Sequence, residues 1–138
     1  MKRNSGRSFV WIMIVIAVVS LFLRITIEKL IMFNITQNEA NAQNNLKLIS
    51  AALENYAKAH RGVFPNDFSL LTKPSPPLLD IDYIALSPIR GYNYSCSRLD
   101  ASGYACQAIP DKCKLSANTI FSVANGGSLG SEACSKQE

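Results

Sequence analysis

From Phe9 to Leu23 the chain runs for 15 residues without a charge, and from there to His60 it contains neither proline nor glycine. A helix that is apolar on every side cannot be covered by a small domain. Nothing between Leu23 and His60 stops a helix either. The stretch from Ser8 to about His60 is therefore expected to be one continuous helix. Its start would be membrane-embedded and its end would be the spine of a small soluble head. A chain built this way holds a compact head at a membrane or in an assembly, with chemistry secondary or absent.

The uncharged run is short of the roughly 20 residues that cross a bilayer. Arg24 extends it by snorkelling toward the headgroups, and Ile25, Ile27, Leu30, Ile31 and Phe33 carry apolar content past it. Arg24 and Glu28 stand four apart and are expected to pair on one helix face. Lys2, Arg3 and Arg7 precede the run, which orients the N-terminus toward the cytoplasm. A cleaved signal peptide is the rival reading, but the small residues it needs are missing: Ala17-Val18-Val19 lies inside the apolar run. Residues 1–33 are thus read as cytoplasmic tip and anchor helix, and residues 34–138 as one extracytoplasmic head.

The net charge of +4 divides at the same place. Residues 1–33 hold Lys2, Arg3, Arg7, Arg24 and Lys29 against Glu28, whereas residues 34–138 hold nine basic and nine acidic side chains. The basicity serves the anchor. A neutral head lacks the electrostatic footprint of phosphate binding, so no nucleic-acid partner is expected.

Within the head portion, Ala42, Leu46, Ile49, Leu53, Tyr56 and His60 recur at helical spacing and form one apolar stripe. Glu54 and Lys58 lie on the other side as a favourable pair four residues apart. Asn34 to Asn41 is polar and weak in helix propensity, which predicts a kink or a locally melted turn. Gly62 suits the helix C-cap, Pro65 stops continuation, and His60 is expected to be partly buried at the helix end. The segment from Gly62 to Pro88, with Pro74, Pro76, Pro77 and Pro88, is irregular. Phe68, Leu70 and Leu71 are expected to form a short helical turn, with Leu78, Leu79, Ile81, Tyr83 and Ile84 adding core. Asp80 and Asp82 have no ligand-rich loop around them and read as solvated.

From Gly91 the period changes to two. Tyr92, Tyr94 and Cys96 alternate with polar residues, as Tyr104, Cys106 and Ala108 do with their neighbours, around a turn near Ala101. That hairpin sets Cys96 opposite Cys106, close enough for a bridge in a non-hydrogen-bonded pair. Four cysteines allow three pairings, and the favoured set is Cys96–Cys106 with Cys113–Cys134 in an oxidising compartment. Thr119 to Val123 reads as a third strand ended by Asn125-Gly126-Gly127, and the polar tail from Ser128 is tied back by Cys134. The fold class is α+β: a long N-terminal helix packed on a small antiparallel sheet. No phosphate loop, metal-ligand cluster or catalytic triad spacing is present, so no catalytic residue, cofactor, metal or small-molecule substrate is expected, and the chain is not read as an enzyme.

The order of these parts resembles the type IV pilins and the pseudopilins of type II secretion systems. Ser8 followed by Phe9-Val10-Trp11-Ile12-Met13-Ile14-Val15-Ile16-Ala17 is similar to the family's processing site and apolar start. Asn45 through Tyr56, ending in Gly62-Val63-Phe64-Pro65, is similar to the end of its long helix. Gly91-Tyr92-Asn93-Tyr94, Tyr104 and Phe121-Ser122-Val123 are similar to its sheet. The resemblance implies prepilin cleavage between Ser8 and Phe9, with methylation of Phe9. It also implies inner-membrane anchoring by a single pass, with the head outside the cytoplasm, and assembly with other pilin-like subunits through the N-terminal helix. Two positions depart from the pattern. Ser8 stands where glycine is usual, and Met13 stands where the family has a glutamate that neutralises a neighbouring subunit's N-terminus. Some minor pseudopilins at filament tips lack that glutamate, so the implied function is a structural subunit of a pilus or secretion filament, of minor or tip type. The alternative is a membrane-tethered binding module that does not polymerise, with recognition carried by the loops Lys73–Tyr83 and Ala124–Glu138.

Overall fold

A computed structural model describes residues 5–135, with side chains from Ser8 onward. Lys2, Arg3 and the side chain of Arg7, read above as the cytoplasmic flank, lie outside the described residues, as do residues 136–138.

Helix α1 spans Ser5–Ala59, 55 residues. A single turn, α2 (Ser69–Thr72), precedes four strands: β1 (Tyr92–Asp100), β2 (Gly103–Pro110), β3 (Thr119–Ala124) and β4 (Ser128–Ala133). The strands make one antiparallel sheet in the order β1-β2-β3-β4. The fold is α+β, one long N-terminal helix packed on that sheet. The chain divides into two compact units, Met1–Asn34 and Ile35–Glu138.

In the first unit every described side chain from Ser8 to Asn34 is exposed. Two hydroxyls within it turn back to the helix: Ser20 Oγ donates to the Ile16 carbonyl and Thr26 Oγ1 to the Phe22 carbonyl, both at 2.8 Å. Satisfied internally in this way, they leave no unpaired donor to penalise an apolar surrounding. Arg24 and Glu28 do not pair as their spacing suggested; Arg98–Asp100 is the ion pair among the described residues. An exposed pair of this kind gains only about 0.3–0.5 kcal/mol on a helix, too little to fix two long side chains.

In the second unit α1 lays Ala42, Leu46, Ile49, Ala52 and Leu53 against the sheet, all buried, and Tyr56 packs on the same cluster half-buried. Tyr92, Tyr94, Cys106, Ala108, Phe121 and Val123 face them from the strands. Burying a Leu or Ile side chain contributes about 1.5–3 kcal/mol, so Leu46, Ile49 and Leu53 outweigh any surface contact of the helix. The locally melted turn expected at Asn34–Asn41 does not occur; α1 is helical through it. Polar side chains there serve the fold. Asn38 Nδ2 donates to the Ser116 carbonyl at 2.9 Å, and Glu39 Oε1 accepts the Asn118 N–H at 2.8 Å. These long-range bonds offset the low propensity that predicted melting.

The helix ends one residue earlier than the glycine implies. Arg61 already has a left-handed φ of 58°, followed by Gly62 at 86°, and the Gly62 N–H reaches back to the Ala57 carbonyl at 2.7 Å. His60 is exposed rather than partly buried; its ring stacks on Tyr56 at 3.9 Å. Of the loop residues expected in the core, Phe68, Leu71, Leu79 and Tyr83 are buried and Ile84 packs half-buried, while Leu70, Leu78 and Ile81 are exposed.

The β1–β2 register places Cys96 opposite Cys106 and then slips between Cys96 and Arg98. This bulge changes which alternate residues face inward: Tyr92, Tyr94 and Cys96 point to the core before it, and Leu99 after it. Without the extra residue Arg98 would take the inward position. Both disulfides are formed, Cys96–Cys106 and Cys113–Cys134. The segment from Ser128, read as a polar tail, is instead the edge strand β4, paired with β3 from Thr119↔Ala133 to Ala124↔Ser128.

Candidate functional site

No cluster of three or more His, Cys, Asp or Glu side chains placed to hold a metal ion occurs among the described residues. Asp82 Oδ1 accepts the N–H groups of Ile84 and Ala85, each at 3.0 Å, and so closes its own turn, whereas Asp80 is exposed. An open hollow of about 420 Å³ lies along Ile109, Pro110, Asp111, Ile120 and the Cys113–Cys134 bridge. It gathers no converging set of polar side chains. The features with functional content are surfaces and the ties that hold them.

The first surface is the apolar helix of the first unit. α1 contains a stretch apolar and long enough to cross a membrane. Phe9 and Met13 are exposed on it, at 65% and 55%. Such a run of exposed apolar side chains is costly in water and marks a surface that is covered. Met13 on this surface is an ordinary apolar side chain, which costs nothing in hydrocarbon.

The second feature is the seam between α1 and the sheet, inside the second unit. Asn45 Nδ2 donates to the Tyr94 hydroxyl at 2.9 Å. Further along, Ser50 Oγ and the Tyr104 hydroxyl share a buried hydrogen bond of 2.8 Å. The Tyr104 hydroxyl donates to Glu54 Oε1 at 3.1 Å, and the same oxygen accepts the Gly126 N–H at 2.8 Å. Glu54 is thus turned to the β3–β4 connection and not to Lys58. Asn125 Oδ1 takes the Tyr104 N–H at 2.6 Å from the same connection. Every buried side-chain polar atom among the described residues has a partner. Burial raises the pKa of Tyr92, Tyr94, Tyr83 and Tyr104 above the ordinary tyrosine value. At the hairpin turn, the Arg98 guanidinium and then Ser102 hold the Asp100 carboxyl below the usual carboxylate range.

Of the residues singled out by sequence, Ala42, Leu46, Ile49, Leu53 and Tyr56 meet on one face, and each cysteine has its partner. Ser8, Phe9 and Met13 sit together on the exposed start of α1. The stretch Ala124–Glu138, taken as a recognition loop, is mostly a 3-10 turn and β4. Sequence reasoning missed Asn38, Glu39, Ser50 and Glu54. The first two carried a signal: with Ile35 and Ala42 they continue the helical spacing of the stripe upstream. Ser50, four past Leu46 and three before Leu53, shares that spacing, whereas Glu54 carried no signal toward Tyr104 and Gly126, its partners 50 and 72 residues away.

The chain matches no protein-family model, no curated protein and no solved structure.

Proposed function

We propose that the chain is a pilin-like or pseudopilin-like structural subunit of minor or tip type, anchored in the inner membrane by residues 8–33 with its head outside the cytoplasm. The observation that carries this is the shared helix: the exposed apolar run and the buried spine of the head are parts of the same unbroken α1. Two disulfides suit a head in an oxidising compartment. The apolar run would anchor the subunit before assembly and pack helix against helix with its own kind afterwards.

Mass spectrometry of the membrane-extracted protein tests this. A chain beginning at Phe9, with or without a methyl group, supports the pilin pathway. A chain cut near Ser20 would remove the anchor and overturn it. Met13 favours a second reading, a tethered head that binds without polymerising, since the carboxylate that would draw a neighbour is missing. An intact Met1, with the protein recovered solely in membranes while sheared filaments are free of it, selects that second reading.

A further inference from the structure

Among the described residues of the second unit, the most exposed large apolar side chain is Leu115, at 68%. Single exposed leucines are ordinary. This one stands on a built turn with basic neighbours. The N–H groups of Leu115 and Ser116 donate to the Lys112 carbonyl at 3.1 and 2.9 Å, and the Lys114 N–H donates to the Ala117 carbonyl at 2.8 Å. Ser116 Oγ accepts the Lys112 N–H at 3.0 Å, and the Cys113–Cys134 bridge pins the turn to the strand that ends beside it. Lys112 and Lys114 are exposed, and so is Arg90. Arg90 adjoins because an ideal Cβ on the next residue, Gly91, would lie 2.8 Å from Ser116 Cβ.

The place of this turn in the second unit matters as much as its composition. Asn38 and Glu39, near the start of that unit, bind Ser116 and Asn118 directly. Asn38 follows Phe33, the last of the exposed apolar run, by five residues. Five residues span at most about 17 Å of chain, so Asn38, which carries the turn's tie to α1, is tethered within that distance of Phe33. Three acidic residues share this end. Glu39 is engaged by Asn118, while Asp111 and Glu132 are exposed. The attraction is therefore local to the basic side chains and acts within about 10 Å at ordinary salt.

We propose that the turn Lys112–Ser116, with Arg90 beside it, is a second membrane contact: Leu115 enters the interfacial layer of an anionic bilayer while Lys112, Lys114 and Arg90 meet lipid phosphates. It rests on membrane anchoring by residues 8–33. Its consequence is a head held down on the lipid surface until assembly lifts it away.

The test uses the full chain in vesicles of phosphatidylcholine, with and without phosphatidylglycerol. Trp11 is the single tryptophan. In the unsubstituted chain, quenching of Trp11 by lipids labelled in their acyl chains reports the anchor. In a W11F background, the indole introduced by L115W reports the turn, and V63W, beyond the far end of the spine, is the control. L115W is expected to be quenched by lipids labelled near the headgroup, more strongly with phosphatidylglycerol, while V63W is not. Adding K112Q and K114Q to L115W should lower the ratio of docked to free heads about five-fold per lysine. Because an introduced indole brings affinity of its own, amine acetylation of the unsubstituted chain is the second readout: Lys112 and Lys114 should react more slowly on vesicles relative to Lys58. Quenching of L115W no greater than that of V63W while Trp11 is quenched, with no protection of the two lysines, overturns the contact and leaves the anchor standing. Quenching that rises with protein-to-lipid ratio assigns the turn to a second copy of the chain and also overturns it. An unquenched Trp11 removes the anchor and the contact with it.

Discussion

Glu54 Oε1 holds two donors at once, the Gly126 N–H and the Tyr104 hydroxyl, at 2.8 and 3.1 Å. It therefore joins the spine to both ends of the segment that carries β3. A carboxylate accepting two donors at a half-buried site contributes more than a neutral acceptor there. Glu54→Ala leaves the Gly126 N–H without this acceptor and is expected to cost about 1–3 kcal/mol. Glu54→Gln keeps an acceptor oxygen and should cost less. Urea unfolding decides it: equal midpoints for E54A and the unsubstituted chain would show that the Gly126 and Tyr104 bonds contribute nothing net. Gly103 makes a parallel point about space. An ideal Cβ there would overlap Asn125 Nδ2, so Gly103→Ala must displace the side chain that also receives the Tyr104 N–H. Its expected effect is a lowered urea midpoint with the disulfides intact.

Among the elements, the spine of α1 and the strands β1 and β2 were legible because each carries its own period, 3.6 for the helix stripe and two for the strands, and β3 because it is rich in β-branched and aromatic residues and ends at Asn125-Gly126-Gly127. The β1–β2 register was legible at Cys96 and Cys106, which the turn near Ala101 sets opposite each other, but the slip between Cys96 and Arg98 was not. What escaped has a common cause. β4 is exposed at every position, so no alternation marks it, although Asn125-Gly126-Gly127 before it is a recognised hairpin signal. The continuity of α1 through Asn34–Asn41 escaped because the bonds that support it go to Ser116 and Asn118, 78 and 79 residues away, and the helical spacing of Ile35, Asn38, Glu39 and Ala42 does not name those partners. In the candidate site the stripe was visible and the clamp at Glu54 was not, for the same reason. At β4, the Cys113–Cys134 bridge replaces the apolar packing that the strand lacks. It closes a loop of 21 residues, against 10 for Cys96–Cys106. In the chain-entropy account these loops stabilise by ~3.3 and ~2.7 kcal/mol, so the totals barely differ. Their local effects should differ far more. C113S/C134S is expected to lose amide-exchange protection along β4 while β1 and β2 keep theirs, and C96S/C106S should weaken the hairpin and leave β4 protected. Uniform loss across the sheet in both variants would show that β4 is not a separable element.

Across the whole molecule, stability has an acid arm and an alkaline arm, and they come from different parts of the head. On the acid side, the folded pKa of Asp100 is depressed by its bonds from Arg98 and Ser102, and that of Asp67 by its bonds with Ser69. Their contribution is present above the unfolded carboxylate value, about 3.9, and is lost as pH falls through the depressed values. Both carboxylates lie at exposed turns, so this arm is shallow. On the alkaline side, Tyr92, Tyr94, Tyr83 and Tyr104 all have raised values, with burial the leading cause for each. A raised folded pKa stabilises fully below the unfolded value of about 10 and is lost as pH rises through the folded one. All four are buried in the core, where Tyr92 and Tyr104 donate to the Thr119 carbonyl and to Glu54. Ionising them removes those donors and places negative charge in the core, so the alkaline arm is the steep one. The expected record is a urea midpoint that is flat through neutrality, declines mildly below about pH 4, and falls steeply above about pH 10. Tyrosinate absorbance should rise together with unfolding rather than ahead of it. Early, independent titration of all the tyrosines with an unchanged midpoint would mean that the seam is open to water. The head would then be held by its two disulfides more than by the packing of α1 on its sheet.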